Sequence, residues 1–398
     1  MIKSISEAKL YQKDVLLRVD FNVPFEKGTV SDDSRILAVL PTIRLILKKG
    51  GRPIILSHFG RPTKPHDKAY SLKKLLPILT TLFQKNIFFC ESTNIDRIKS
   101  FLSEIRRDAI ILLENTRFFD GEDTNSKTLS TIFSQFGDLF CNDAFSASHR
   151  SHASTVGIAE RLPSYSGLHL QKELSALNQA LLNPKKPLTA IIGGSKVSTK
   201  ITLLKNLIKK VDHLIIGGGM ANTFLYAQKR EIGQSLCEKN LTQLSQDIIT
   251  TANEFNCEIH LPLDAVCARK LREGEEVSIN DINSCPPDRM ILDSGPKTIA
   301  HINNILKSTN TLIWNGPLGA FETPPFDTAT KKIAKIVAKM TRTGQLVSVA
   351  GGGDTVAALN NSNITRELSY VSNAGGAFLE WMEGKDLPGL LALHRAIT

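Results

Sequence analysis

Short apolar, β-branched runs recur along the chain, each followed by a loop and then a longer stretch with helical spacing. The runs cover residues 15–19, 53–57, 109–113 and 139–142, then 188–192, 213–216, 258–261, 312–314 and 346–350. They lack polar alternation, as expected for strands of a parallel sheet covered on both faces. Between them, residues 71–83 place Leu72, Leu75, Leu76 and Leu79 on one helical face, and residues 328–340 do the same with Ile333, Ile336 and Val337. This repeated β-then-α order predicts an α/β protein built from doubly wound, Rossmann-like parallel sheets with helices on both faces. Nine strands is a minimum, and two sheets hold them better than one.

Residues 168–182 (LHLQKELSALNQALL) read as a single helix stopped at Asn183-Pro184, with strand-like sequence resuming at Pro187. The expected organisation is therefore a first domain over 1–167, an interdomain helix over 168–183 and a second domain over 184–381. The tail 382–398 is expected to pack back on the first domain.

Composition narrows the class without naming a chemistry. In 398 residues, 41% are hydrophobic and 22% charged, which excludes a disordered or fibrous chain. No apolar run approaches the ~20 residues of a membrane helix, and no secretory signal opens the chain. Cys90, Cys141, Cys237, Cys257, Cys267 and Cys285 form no C-x-x-C pair, which fits reduced thiols and a cytoplasmic location. The formal charge of +10 suits anionic partners. Basic pairs such as Lys48-Lys49, Lys185-Lys186 and Lys331-Lys332 read as solvated helix ends or loops. Aromatic residues are few and no nucleic-acid-reading motif occurs, so nucleic acid is not an expected partner.

In open α/β sheets, ligands bind at the carboxyl ends of the strands. In the first half those ends carry charge. They read Arg18 with Asp20-Phe21-Asn22, then His58-Phe59-Gly60-Arg61, then Glu114-Asn115-Thr116-Arg117, then Asp143 and Ser148-His149-Arg150-Ser151-His152. Arg35 adds a cation at the start of the helix after Asp32-Asp33. A single arginine is more readily structural, and ion pairing to Asp32, Asp33, Glu114 and Asp143 would account for some of them. Five on one sheet edge predict a pocket for a small, highly charged acid, because guanidinium groups bind carboxylate and phosphate through paired hydrogen bonds.

In the second half the ends carry glycine: Gly193-Gly194-Ser195-Lys196, Gly217-Gly218-Gly219, Asn315-Gly316-Pro317, Gly351-Gly352-Gly353-Asp354-Thr355 and Gly375-Gly376 before a last helix. Glycine lets backbone N–H groups approach an anion, and a helix N-terminus favours negative charge. One such turn is weak evidence; five predict a nucleotide along the edge. No P-loop and no full G-x-G-x-x-G follows any strand, which argues against P-loop enzymes and dinucleotide oxidoreductases. Lys196 and Lys200, one helical turn apart, and Asp354 remain as cations and a carboxylate suited to phosphoryl transfer with Mg²⁺.

At these residues the sequence resembles the phosphoglycerate kinase family, from about Asp14 to Leu390. RVDFNVP (18–24), LSHFGRP (56–62), LLENTRF (112–118) and NDAFSASHRSHAST (142–155) are similar to the family's acid-substrate half. GGSKVSTKI (193–201), IIGGGMANTF (215–224), LDSGPKT (292–298), WNGPLGAFE (314–322), AGGGDT (350–355) and LEWMEGKDLPG (379–389) are similar to its nucleotide half. The resemblance implies reversible, Mg²⁺-dependent transfer between 1,3-bisphosphoglycerate with ADP and 3-phosphoglycerate with ATP, in a monomer whose domains close.

It also implies roles. Arg18, Asp20, Phe21, Asn22, Arg35, His58, Phe59, Gly60, Arg61, Arg117 and Arg150 would form the glycerate site. Gly194, Lys200, Gly218, Glu322, Gly352, Gly353, Asp354 and Thr355 would bind the nucleotide, with Glu322 on the ribose and Asp354 on the metal. Arg35, Lys196, Lys200, Gly375 and Gly376 would act on the transferred group. Three positions depart from the family's pattern: Thr199 where many members have Asp, Asn373-Ala374 before the paired glycines, and Phe119 where His is common. None removes a lysine, an arginine or Asp354.

Overall fold

The computed structural model describes residues 2–396 apart from Lys27 and Pro65. It divides into two compact units, one of residues 1–174 with 386–398, the other of residues 175–385. The chain passes between them within the helix Leu168–Leu181.

The first unit holds a six-stranded parallel sheet in the order Ile87–Cys90, Ile110–Leu113, Arg52–Leu56, Asp14–Arg18, Leu139–Asn142, Ser164–Ser166. Asp14–Arg18 pairs on both sides, and the chain's crossovers leave this centre in opposite directions. The carboxyl ends of Asp14–Arg18 and Leu139–Asn142 therefore border a crevice. Leu17, Val19, Ile55 and Leu112 are fully buried in one cluster with Ile43 and Leu79 of the covering helices. The C-terminal helix Pro388–Arg395 joins this unit, with the Gly389 N–H donating to the Ser148 carbonyl at 2.8 Å. The tail thus returns to the first unit from residue 386; residues 397 and 398 lie outside the described ones.

The second unit repeats the plan in the order Glu258–His260, His213–Ile216, Leu188–Ile192, Thr311–Asn315, Val347–Gly351, Tyr370–Ser372, all parallel. Its crossovers diverge between Leu188–Ile192 and Thr311–Asn315, so the crevice opens beside Gly193 and Gly316. An added Cβ at Gly193 would lie 1.8 Å from the Pro317 carbonyl oxygen, so only glycine allows these two loops to touch.

Four features differ from the sequence expectation. A three-stranded antiparallel sheet, Val277–Asp281, Asp264–Ala268 and Met290–Ser294, accompanies the second parallel sheet. Its outer strand Val277–Asp281 is half-exposed and alternates, unlike the uniform apolar runs from which strands were read. Ile87–Cys90, Ser164–Ser166 and Tyr370–Ser372 are further strands, each at a sheet edge. The expected helix at 71–83 is a 3₁₀ segment, Leu72–Leu75, followed by an α-helix, Leu76–Phe83; Pro77 has no N–H to give and occupies the α-helix's first turn. Finally, Lys196 and Lys200 do not share a helix. Residues 198–200 form a turn, and Lys200 is the N-cap of the helix Ile201–Leu207.

Leu17 lies at the centre of the first unit's packing. Leu17→Ala should lower that unit's unfolding free energy by about 2–5 kcal/mol in urea titrations. A loss below 1 kcal/mol would mean that the cluster is not the unit's core.

Candidate active site

In the first unit, the loops at the sheet's carboxyl edge are tied together before any ligand is considered. Asn115 is fully buried. Its Oδ1 accepts from the backbone N–H groups of Phe59 (3.2 Å) and Arg117 (3.1 Å), and its Nδ2 donates to the carbonyls of Phe59 (2.8 Å) and Tyr70 (2.9 Å). Glu114 accepts from Leu72 N (2.9 Å), Ser71 Oγ (2.6 Å) and Asn115 N (2.7 Å). Asp143 accepts from the Leu170 N–H at 2.9 Å. Both acids are buried, so neither is the surface ion-pair partner that the sequence left open. Asn22 Oδ1 accepts from the Gly60 N–H at 2.8 Å, and a Cβ at Gly60 would lie 2.2 Å from the Tyr70 ring.

Charged groups are mounted on this frame. Arg18 is buried: its Nε donates to Ser154 Oγ (2.9 Å), one Nη donates to the Val19 carbonyl and the other faces His58 Nδ1 at 3.2 Å. Burial lowers the Arg18 pKa, and the nearby Glu122 and Asp20 charges oppose that shift. Asp20 accepts from Arg35 Nη1 (2.9 Å), Asn22 N (3.0 Å) and Ser146 Oγ. Burial alone would raise this carboxyl, but Arg35 and the Ser146 and Asn22 hydrogen bonds hold it below its ordinary value. Burial, reinforced by Arg18, Arg117 and Arg150, takes His58 down to about 3 despite Asp20, so the ring is neutral.

Arg117 donates to the Gly60 carbonyl, while its buried Nε makes no hydrogen bond to the described residues and stays 3.7 Å from Asp123. Burial, with Arg150 and Arg61 nearby, lowers its pKa. Arg150 donates to His149 Nε2 at 3.2 Å, and Arg61 is exposed. Arg18, Arg117, Arg150 and Arg61 thus form a zone of mutual repulsion, where an anion replaces repulsion with attraction. The side chains of Phe21 and Phe59 belong to the core cluster, so only their backbone remains at the loops.

In the second unit, Lys200 spans the diverging loops. Its Nζ donates to the Gly193 carbonyl (2.5 Å), Asn315 Oδ1 (2.6 Å) and the Asn315 carbonyl (3.3 Å). Burial lowers its pKa to about 8, with Asp354 opposing. Asn315 Nδ2 donates to the Gly351 carbonyl at 2.7 Å, and Thr355 Oγ1 accepts from the Gly316 N–H at 2.6 Å, which fixes the third loop to the second. Gly352 has φ +99° and starts the helix Gly353–Asn361, whose first turn carries the exposed Asp354. An added Cβ at Gly353 or Gly375 would meet nothing within 4 Å, so both face open space. Gly375 begins the helix Gly376–Met382, which is the penultimate helix rather than the last.

A cavity of about 360 Å³ lies beside these loops, lined by Gly194, Gly218, Glu322 and Asp354 among the expected residues. Lys196 is exposed, accepting the Thr199 hydroxyl at its carbonyl (2.9 Å), and is not among the lining residues.

Several partners were missed from the sequence. Ser146 holds Asp20, Ser154 holds Arg18 and donates in turn to Glu122, and Asn315 holds Lys200. Ser146, Ser154 and Asn315 lie inside quoted motifs, so a search for hydroxyl and amide partners there could have found them. Glu122 lies in a loop that no strand announces. Asn222 also lines the cavity, and its buried Oδ1 accepts no hydrogen bond from the described residues.

Among the described residues, no helix is long and apolar enough to cross a membrane. A sequence model of the phosphoglycerate kinase family matches residues 5–385. A phosphoglycerate kinase of Cereibacter sphaeroides is 50% identical over 98% of this chain and 99% of its own length, and one of Sinorhizobium fredii is 51% identical over 96% of each. The solved structure of phosphoglycerate kinase from Coxiella burnetii covers all of both chains with a TM-score of 0.91 at 40% identity. That of Pyrococcus horikoshii covers 98% of each with a TM-score of 0.83 at 27% identity. The two six-stranded parallel sheets, the full-length match and the half-identical relatives agree: the chain belongs to the phosphoglycerate kinase family and is a phosphotransferase with a carboxyl acceptor.

Proposed function

We propose that the glycerate substrate binds the first unit's cationic edge and that the nucleotide binds the second unit's glycine edge with Mg²⁺. The observation that carries this division is the contrast between buried, mutually repelling arginines at one edge and Lys200 with open glycine turns at the other. Arg61, Arg117 and Arg150 suit a phosphate through charged hydrogen bonds. Asp20, held ionised, and Asn22 suit the glycerate hydroxyl and carboxyl end. His58, neutral, can bridge Arg18 and the substrate without adding charge.

Glu322 at the cavity rim suits the ribose hydroxyls. Gly352, Gly353 and Thr355 place backbone N–H groups and a hydroxyl by the phosphates. Asp354 fits a hard divalent cation, being an exposed carboxylate beside those turns. Mg²⁺ held there would neutralise charge on the nucleotide phosphates.

The acceptor carboxylate is already ionised at neutral pH, so no general base is needed. Catalysis then reduces to alignment and charge stabilisation. Arg35 would act from the acid side and Lys200 from the nucleotide side, with Gly375 and Gly376 offering N–H groups to the moving phosphoryl. Because the two sets of residues belong to different units, transfer requires the expected domain closure. Lys196 would contribute positive field from solvent. Thr199 is exposed and bonded to the Lys196 carbonyl, so it leaves these groups in place, which supports an active enzyme.

Three outcomes are expected. With 3-phosphoglycerate and MgATP, a coupled assay should show rapid ATP consumption, and Lys200→Ala or Arg35→Ala should lower kcat by about 10²–10³-fold. Turnover equal to that of Lys200→Ala would sink the mechanism. Arg61→Ala should raise the KM for 3-phosphoglycerate while leaving ATP affinity within twofold; an equal loss of both would refute the division of labour.

The third concerns pH. Free Lys200 loses its proton near pH 8, whereas a bound phosphate favours the ammonium. ATP affinity measured by calorimetry should therefore weaken by up to about tenfold per pH unit above 8 in the parent chain. It should stay flat in Lys200→Met, and a parallel decline in both would exclude Lys200 as the titrating group.

A further inference from the structure

We propose that His213, Glu258 and His260 bind a divalent transition-metal ion of the zinc type, on the outermost strand pair of the second unit's parallel sheet. His213 and Glu258 are the first residues of adjacent parallel strands and lie in register. His260 follows Glu258 by two residues, so both side chains leave the same face of that strand. His213 and Glu258 stand at the amino ends of their strands and His260 at the end of its own, which Leu261-Pro262 follows rather than a glycine turn.

The three donor atoms lie at bonding geometry for one ion. His213 Nδ1 is 3.1 Å from His260 Nε2 and 3.4 Å from Glu258 Oε2, and His260 Nε2 is 3.7 Å from the same oxygen. Bonds of about 2.0–2.1 Å in a tetrahedral site put neighbouring donors about 3.3 Å apart, the middle of this range. An ion equidistant from the three completes the arrangement with little side-chain movement.

The surroundings favour coordination. His260 is buried, and its other nitrogen, Nδ1, lies 3.2 Å from Nε2 of His301 on the helix Pro296–Ser308. Coordination needs the facing nitrogens unprotonated. A neutral His260 then carries its proton on Nδ1 and donates it to His301, the outer-shell contact that orients metal-bound imidazoles. His213 carries its proton on Nε2. The Glu258 side chain is 67% exposed, which gives an ion a path in and leaves the fourth position to water.

Two imidazoles and one carboxylate select zinc-type ions, whereas Mg²⁺ prefers oxygen ligands and keeps its own waters. The kinase reaction's cation therefore does not compete for the site. A bound ion would join two strands, and through His301 a helix, at the sheet's edge.

The test uses the full-length chain freed of metal with a chelator. Zn²⁺ titration by calorimetry should show a saturable site for one ion, and Co²⁺ at that site should give the intense visible absorption of four-coordinate geometry. Glu258→Gln and His213→Gln should each weaken this binding at least tenfold while kinase activity with MgATP is retained, which controls for folding. His301→Gln should weaken it by about 10–100-fold without changing the stoichiometry. Zn²⁺ should raise the thermal midpoint of the parent chain and not of the His213→Gln/Glu258→Gln double variant. Unchanged affinity in that double variant, no saturable binding, or a weak octahedral Co²⁺ spectrum would each overturn the proposal.

Discussion

Parallel pairing constrains everything else in this protein. A parallel strand cannot turn back into its neighbour, so each carboxyl end must release the chain into a loop and a covering helix. All such loops in a unit gather at one edge, and a crevice opens where the crossovers diverge. In the first unit that point lies between Asp14–Arg18 and Leu139–Asn142; in the second, between Leu188–Ile192 and Thr311–Asn315. The chemistry-bearing residues cluster beside both points: Asp20 with Ser146 in one, Lys200 with Gly193 and Asn315 in the other.

The same scaffold serves opposite electrostatic ends. At the first edge, cations are buried or crowded and only partly compensated, so the charge of an anion bound there would lower an existing cost. Arg18 is matched by Glu122 and Asp20, yet Arg117 keeps a buried Nε with no hydrogen bond among the described residues and is repelled by Arg150 and Arg61. At the second edge most of the positive character comes from the backbone, through glycine turns and helix starts, with one lysine across the gap. Burial takes that lysine close to losing its proton, so a phosphate bound there, as proposed, would favour its charged form. Neutral His58 lets a third polar group sit among the arginines without further repulsion.

Much of the fold was legible because central strands announce themselves. Leu139–Asn142, Leu188–Ile192 and His213–Ile216 follow the bounds read from apolar runs, since a strand covered on both faces must be apolar at every position. Ile87–Cys90 and Tyr370–Ser372, half-covered edge strands, escaped that reading, and Ser164–Ser166 escaped it because its buried positions carry serine. The antiparallel Val277–Asp281 escaped because one of its faces meets water. The residue types of both edges were likewise visible, since glycine, arginine and aspartate after an apolar run report a loop that must bind or turn.

The residue order therefore determined which groups stand at each edge, because strand ends are local features of the chain. It could not determine who holds them. Ser154 lies 136 residues from Arg18, Ser146 lies 126 from Asp20, and Asn315 lies 115 from Lys200. Those distances vanish only when the strands pair. Tertiary packing also buried the Phe21 and Phe59 side chains in the core, placed Lys196 and Lys200 outside a common helix, and aligned His213 with Glu258. Burial and pairing register are properties of the folded sheet, and they decide which of many suitable side chains act together.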